Sequence, residues 1–443
     1  MKKQITTFIA ALGLPFCGTA APNNLTLQAE VSHPLIPANE KHTSYLKVSV
    51  TGGKAPEETK RAPINVSIVL DRSGSMSGPK IANAREAAKM AVSRLQSQDT
   101  ISIVTYDDNA NVLVPSTKLT DKAAVYQAID SITTGGSTAL FAGVSKGAEE
   151  LRKFKKPDVI NRVILLSDGQ ANQGPQTPQE LGDLGAALAR EGISTTTIGL
   201  GSGYNEDLMN QLALRSDGNH SFVETPSELA QVFNQELGDL LSVVAQELAI
   251  EVKLAKGVRP VRSLGRDVDI NGQTVSLKLN QLYAEQKKFL LLEIETPVLE
   301  AEQDQLIAEA TVKFHSIESE QVISTTTRSV ARVIADKTRV ENSLNKPVMI
   351  AAIDFIGNER NLAATALRDQ GKIEESKAAF NLNYIDIQAW GTKLDSAYLL
   401  QEADYNRDDA KKVDTPAWSF KRKAIQQRAN SKISQNPGYR SQD

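Results

Sequence analysis

"VSIVLDRSGSM", residues 66–76, closes an apolar run on Asp71 and then sets hydroxyls at Ser73 and Ser75. A run such as "INVSIVLD", 64–71, reads as a buried strand. The turn that leaves a strand needs only one Asp or Ser to bond back to its own backbone. A carboxylate and two hydroxyls at i, i+2 and i+4 exceed that need, and their purpose has to be found in the rest of the chain.

Outward from this stretch, short apolar runs alternate with segments of helical period. The runs are "INVSIVLD", "TISIVTYDD", "ANVLVPST", "RVILLSD", "ISTTTIGLG" and "HSFVETP"; segments such as "KIANAREAAKMAVSRLQ" and "PQELGDLGAALAREG" lie between them. This alternation predicts an α/β fold over 64–245, a doubly wound, mostly parallel sheet with helices on both faces. The second and third runs are too close for a helical crossover, so they form a hairpin with one antiparallel edge strand.

Over 246–336 the helices vanish and period-2 alternation takes over, as in "LAIEVKLA", "TVSLKLNQL" and "KKFLLLEIETP", with a hairpin signal at Asn271–Gly272. This predicts a flanking antiparallel β-sandwich. "LTLQAEVS" and "SYLKVSVTG", within 21–63, alternate in the same way and are assigned to that sandwich, which makes the α/β unit an insertion. "GGKAPEETKRAP", 52–63, is a polar linker. From 337 to 443 the pattern is helical, with "ALRDQGKIEESKAAF" reading as a helical hairpin capped at Gly371 and packed on the sandwich. Beyond Arg407 the polar, basic composition predicts a disordered tail.

The ends and the composition narrow the function. Lys2 and Lys3 followed by the apolar stretch Ile5–Phe16 and small residues at Gly18 and Ala20 read as a signal peptide over 1–20. The chain is therefore expected in the periplasm or secreted. Cys17, the sole cysteine, falls inside that segment, where "LPFC" is a poor lipoprotein box, and the remainder can form neither a disulfide nor a thiolate metal site. No later apolar run reaches the roughly 18 residues of a membrane span. A net charge of −3 gives no basic excess for nucleic acid. The four histidines, His33, His42, His220 and His315, are scattered without ligand spacing. No GxxxxGK, HExxH or GxSxG pattern occurs, and the position two after Asp71 is Ser73 rather than the second acid a phosphatase of the haloacid-dehalogenase type requires.

In open α/β sheets, ligands bind beyond the carboxyl ends of the strands. Asp71, Ser73 and Ser75 belong at that edge, as do Asp168 in "LLSDGQAN" and Thr138 in the glycine-rich "TTGGSTAL" that opens a helix. Singly, each is an ordinary turn or capping residue. Together, two carboxylates and three hydroxyls suit a hard divalent cation, Mg²⁺ in preference to Ca²⁺ or Mn²⁺. The two acids match its charge, and a coordination position stays open for an outside carboxylate. Asp107, Asp108, Glu206 and Asp207 lie near loop or helix starts and read as dipole-complementing or solvated surface.

These residues, "DRSGS" at 71–75, Thr138 in "GGSTAL" and Asp168 in "SDG", resemble the metal-ion-dependent adhesion site of the von Willebrand factor type A domain. The resemblance covers about 64–245. It extends to bacterial exported proteins labelled calcium-activated chloride channel homologues and, more distantly, to inter-alpha-trypsin inhibitor heavy chains. It implies that both serines touch the metal, that one or both aspartates act through water, and that the threonine joins when a ligand binds. The expectation is a non-enzymatic, adhesion-type binding protein that coordinates a partner's Asp or Glu. The alternative is a periplasmic scaffold or envelope assembly factor in which the metal closes a structural contact.

Overall fold

The computed structural model describes residues 25–55, 61–156 and 158–435. The signal-peptide reading, with Cys17, therefore lies outside the described residues, as do 436–443. The described residues open with β1 (Leu25–Val31), β2 (Leu35–Pro37) and β3 (His42–Gly52). It continues through β4 (Ile64–Asp71), α1 (Pro79–Arg94), β5 (Thr100–Tyr106), β6 (Ala110–Lys118), α2 (Lys122–Asp130), α3 (Leu140–Arg152), β7 (Ile160–Ser167), α4 (Pro178–Arg190), β8 (Ile193–Leu200), α5 (Glu206–Arg215), β9 (His220–Val223) and α6 (Leu229–Leu241). Then come β10 (Val243–Leu254), β11 (Arg259–Leu264), β12 (Asp269–Asn271), β13 (Thr274–Tyr283), β14 (Lys287–Thr296), β15 (Gln303–Ser316) and β16 (Val322–Ile334). Five helices end the described residues: α7 (Lys337–Asn342), α8 (Lys346–Asp369), α9 (Ile373–Leu394), α10 (Ala397–Lys412) and α11 (Trp418–Ser434).

The central sheet has the order β6-β5-β4-β7-β8-β9, parallel throughout except for the antiparallel edge strand β6. β4, β5, β7 and β8 are buried along their whole length, as strands covered on both faces must be. Their side chains alternate between two cores. Val66, Ile68 and Leu70 join Ala84 and Ala88 of α1 and Phe233 of α6 on one face; Val69, Val163 and Leu165 join Val144 of α3 and Leu212 of α5 on the other. α3 lies unusually close to the sheet. A Cβ at Gly147 would fall 2.6 Å from Val69, and one at Gly143 equally near Tyr106. Only glycines permit that approach, and it draws the start of α3, with Thr138, to the edge where β4 ends.

Two further sheets, β1-β3-β14-β11 and β12-β13-β10-β15-β16-β2, face each other across a core that includes Leu46, Val48, Leu292, Ile250 and Val312. β1 and β3 precede the central sheet in sequence, yet β3 pairs with β14, which follows it. The helix-flanked sheet is thus inserted between strands of the sandwich. Buried polar contacts fix the junction. Asp217, in the turn before β9, accepts from the Asn280 amide at 2.7 Å and pairs with Arg266 and Lys288 at 3.2 Å each. Burial alone would raise its carboxyl; the two cations outweigh that and hold it below the usual range.

α8 packs Val348, Ala352 and Phe355 onto Leu264 and Leu291 of the sandwich. Gly371, at φ +78°, turns the chain into α9. The stretch read as a disordered tail is instead the end of α10 and the whole of α11. α11 buries Trp418, Lys423, Ile425 and Ala429, and its polarity is used in ion pairs rather than exposed to water. No helix among the described residues is long and apolar enough to cross a membrane.

Candidate metal centre

Asp71 is the last residue of β4 and has no exposed surface. Its Oδ1 accepts the Ser73 amide at 2.8 Å, which curls the chain into a single 3₁₀ turn over Gly74–Met76. Its Oδ2 accepts the Ser167 hydroxyl at 2.7 Å, and the Tyr106 hydroxyl lies 3.5 Å from the same oxygen. Met76, fully buried, pins the far end of the turn. The i, i+2, i+4 spacing then brings Ser73 Oγ and Ser75 Oγ within 3.0 Å of each other, and Ser75 donates to Asp168 Oδ1 at 2.7 Å.

Two more loops are laced to this one by backbone bonds. Gly74 N donates to Gly136 O at 3.1 Å, and Gly135 N to Arg72 O at 2.8 Å. Thr138 and Asn172 bond reciprocally: the Thr138 amide donates to the Asn172 side chain at 2.8 Å, and the Asn172 amide to the Thr138 carbonyl at 3.2 Å. A Cβ on Gly169 would stand 3.4 Å from Thr138 Oγ1 and 3.5 Å from Ser75 Oγ, so both hydroxyls crowd the residue after Asp168. All five residues singled out in the sequence meet at one edge of the sheet.

The donor chemistry suits a small divalent cation. Ligands about 2.1 Å from Mg²⁺ at right angles lie about 3.0 Å apart, the spacing found between Ser73 and Ser75 and close to that between Ser75 and Asp168. Among the described residues no group of three or more His, Cys, Asp or Glu gathers around a point; here hydroxyls do most of the gathering. Asp71 has Oδ1 engaged by the loop and Oδ2 by Ser167 and Tyr106 at the ends of the neighbouring strands, which fits a carboxylate that shapes and charges the site from behind. Burial pushes its carboxyl up to about 6, its hydrogen bonds from Ser73 and Ser167 resist that, and the nearby Asp168 adds to it. A local deficit of positive charge follows, and Lys80, in the first turn of α1, reaches in to pair with Asp168 Oδ2.

Several supporting residues escaped the sequence reading. Ser167, Tyr106 and Asn172 orient the site, yet each looks like an ordinary strand or loop residue. Asp107 and Asp108 brace the Thr138 loop instead of merely meeting solvent: Asp107 pairs with Arg72 and accepts the Ala139 amide on its carbonyl, and Asp108 accepts the Ser137 amide at 2.9 Å. Glu206 and Asp207 do open α5, but Arg422 of α11 clamps them at 2.5 and 2.8 Å. His220 is buried between Thr197 and Tyr204, with no part in the site.

Residues 65–235 match the family model of the von Willebrand factor type A domain. The chain is 28% identical over 260 residues to an uncharacterized protein of Synechocystis sp., covering 56% of this chain and 61% of that one. It is 25% identical to inter-alpha-trypsin inhibitor heavy chain H3 of Rattus norvegicus, over 48% of this chain and 24% of the heavy chain. It thus spans less than two thirds of either relative. A solved von Willebrand factor type A protein of Catenulispora acidiphila shares the fold with a TM-score of 0.68 over 90% of this chain and 92% of its own, at 16% identity.

Proposed function

From the premise that this chain carries a von Willebrand factor type A domain at residues 65–235, we propose that it is a binding protein whose metal centre grips an acidic residue of a partner protein. The observation that carries the reading is Ser75 Oγ, 3.0 Å from Ser73 and 2.7 Å from Asp168, the point where two separate loops converge. Ser73, Ser75, Thr138 and Asp168 would hold Mg²⁺, with Asp71 supporting them from behind. When bound, the ion supplies an electrophilic centre that takes up a partner's carboxylate. The protein's part is to keep the three loops at fixed spacing and to offer neutral hydroxyls, so that the ion keeps its appetite for an outside anion.

Binding is favoured over catalysis by the state of Asp71. A nucleophile or general base needs access to substrate, whereas Asp71 is fully buried, with Ser73, Ser167 and Tyr106 bonded to its oxygens. Kinship to an inter-alpha-trypsin inhibitor heavy chain supports a protein-binding role. Export is proposed from residues 1–20 alone, and the mass of the N-terminal peptide from the native protein checks it.

The test is calorimetric titration of Mg²⁺, Ca²⁺ and Mn²⁺ into the metal-free protein and into Asp168→Asn, each with and without acetate as a stand-in for the partner's carboxylate. The proposal expects about one ion per chain, tighter with acetate, and none in the variant. No binding even with acetate would reduce the five residues to loop chemistry.

A further inference from the structure

α11 lies outside the matched domain, yet it reaches the loop beside the metal centre. Its Lys423, 4% exposed, donates to the Tyr204 carbonyl at 3.0 Å, pairs with Glu206 at 2.5 Å and sits 4.2 Å from the centre of the Tyr204 ring. Tyr204 is itself wedged flat over β8: a Cβ on Gly199 would fall 2.3 Å from its ring. One residue earlier, Gly203 touches the metal loop. Its Cβ position lies 3.1 Å from the Asp168 carbonyl, and its own carbonyl accepts from the Gln170 side chain at 3.3 Å. The chain of contacts runs from Lys423 through Tyr204 and Gly203 to Gln170, with Gly203 backed so closely against the Asp168 carbonyl that a side chain there would crowd it.

The other end of α11 is tied to the sandwich. Gln435 pairs with β14 as a strand would: its Oε1 accepts the Phe289 amide at 2.6 Å and its Nε2 donates to the Phe289 carbonyl at 2.9 Å. Arg266 donates to the Ser434 carbonyl at 2.9 Å. The helix is thus a strut with one foot on the sandwich and the other on the loop that abuts Asp168. A buried ammonium held by a carbonyl, a carboxylate and an aromatic face is fixed far more firmly than a surface ion pair.

We infer that Lys423 is a positioning residue for the metal centre: through Tyr204 and Gly203, the docking of α11 sets where Asp168 stands. The inference rests on the metal reading given above. Two events that share a structural element are linked, and the linkage is reciprocal. Undocking α11 weakens metal binding, and metal binding tightens α11.

The experiment combines Mg²⁺ titration with hydrogen exchange on the full chain, in wild type, Lys423→Met, Lys423→Arg and Lys432→Met. The last is the control. Lys432 is another lysine of α11, partly buried, but it pairs with Asp354 and Glu402 of the helical region and does not touch the loop. Lys423→Met is expected to weaken Mg²⁺ binding at least fivefold and to speed exchange over 168–172 and 201–206 even without metal. Lys423→Arg should restore most of the affinity, and Lys432→Met, which loosens α11 elsewhere and leaves its contact with the loop in place, should weaken binding less than Lys423→Met does. In wild type, saturating Mg²⁺ should slow exchange over 418–425, a readout that holds even if a variant fails to fold. Equal affinity in Lys423→Met and wild type, or an unchanged α11 on adding Mg²⁺, overturns this inference alone. A wild type that binds no Mg²⁺, with or without acetate, overturns the metal reading and this inference with it.

Discussion

Two of the polar clusters buried in the inserted domain are built on opposite principles. At the carboxyl edge of the sheet, Asp71 and Asp168 face a single cation, Lys80, which is 35% exposed and approaches from the rim. On the flank against the sandwich, Arg162 and Glu236, both fully buried, answer each other charge for charge at 3.2 Å. Arg162 also donates to Thr196 at 3.0 Å and to Gln281 and Tyr283 at 2.6 Å, and Glu236 accepts from Asn219 at 2.9 Å. A cluster in which buried cation and anion answer each other holds a fold together without calling for a charge from outside. A cluster with excess negative charge and hydroxyls at ligand spacing is a site, because the charge it lacks must come from elsewhere.

The contrast breaks most sharply at Arg162. Arg162→Met should destabilise the protein by about 3–5 kcal/mol in urea unfolding, because it strands a buried Glu236. In the folded fraction Mg²⁺ affinity should hardly change. A loss of stability below about 1 kcal/mol would mean that the Arg162–Glu236 pair contributes little to the fold and that the contrast is weaker than the geometry says.

Next in size is Asp239, on the same helix as Glu236. Burial pushes its carboxyl up to about 7; Glu236 adds to this and Arg162 opposes it. An acid whose folded pKa is raised favours folding while it is protonated, and that advantage is lost as pH rises through the folded value. Asp239→Asn removes the titration. Its stability relative to wild type should therefore climb from about pH 4 to about pH 7 and then level off, ahead by about 2–4 kcal/mol. Burial pushes His33 down to about 4 and His220 to about 3; both titrate alike in the two proteins and cancel from the difference. A flat difference would show that Asp239 finds a partner when ionised.

What was legible in the sequence follows the same division. The strands of the central sheet and the five site residues were readable because each announces itself locally: an unbroken apolar run, or an oxygen-bearing residue just past its end. Arg162 was not, since it lies within "RVILLSD" and only tertiary structure supplies Thr196, Gln281 and Tyr283 around it. β11 was missed because "RPVRSL" carries Pro260 and two arginines, residues that an edge strand tolerates and a central one does not. The tail was misread for a related reason. The basic residues of "SFKRKAIQQRANSKIS" look solvated until Glu206, Asp354 and Glu402 are placed opposite them.

Within the site itself, Ser75→Ala tests whether the hydroxyls carry metal or only structure. Losing its bonds to Ser73 and Asp168 should cost about 1 kcal/mol of stability. Mg²⁺ affinity should fall at least tenfold, about 1.4 kcal/mol. A stability loss with unchanged affinity would turn the site into a second structural cluster and erase the contrast with Arg162.

The smallest effect should come from Lys80→Met. The Lys80 ammonium occupies Asp168 Oδ2 at the rim, where a bound ion would have to share that carboxylate with it. Removing it takes one positive charge away from a divalent cation, and this half-solvated position limits the gain to about 1 kcal/mol or less. Mg²⁺ should therefore bind about three- to fivefold tighter. The gain should shrink as salt is raised from 0.05 to about 0.5 M, because screening acts on a rim charge far more than on a buried one. Weaker binding in the variant would make Lys80 a member of the site that holds Asp168 in place. In that case the edge of the sheet would resemble the Arg162 cluster more closely than its charge suggests.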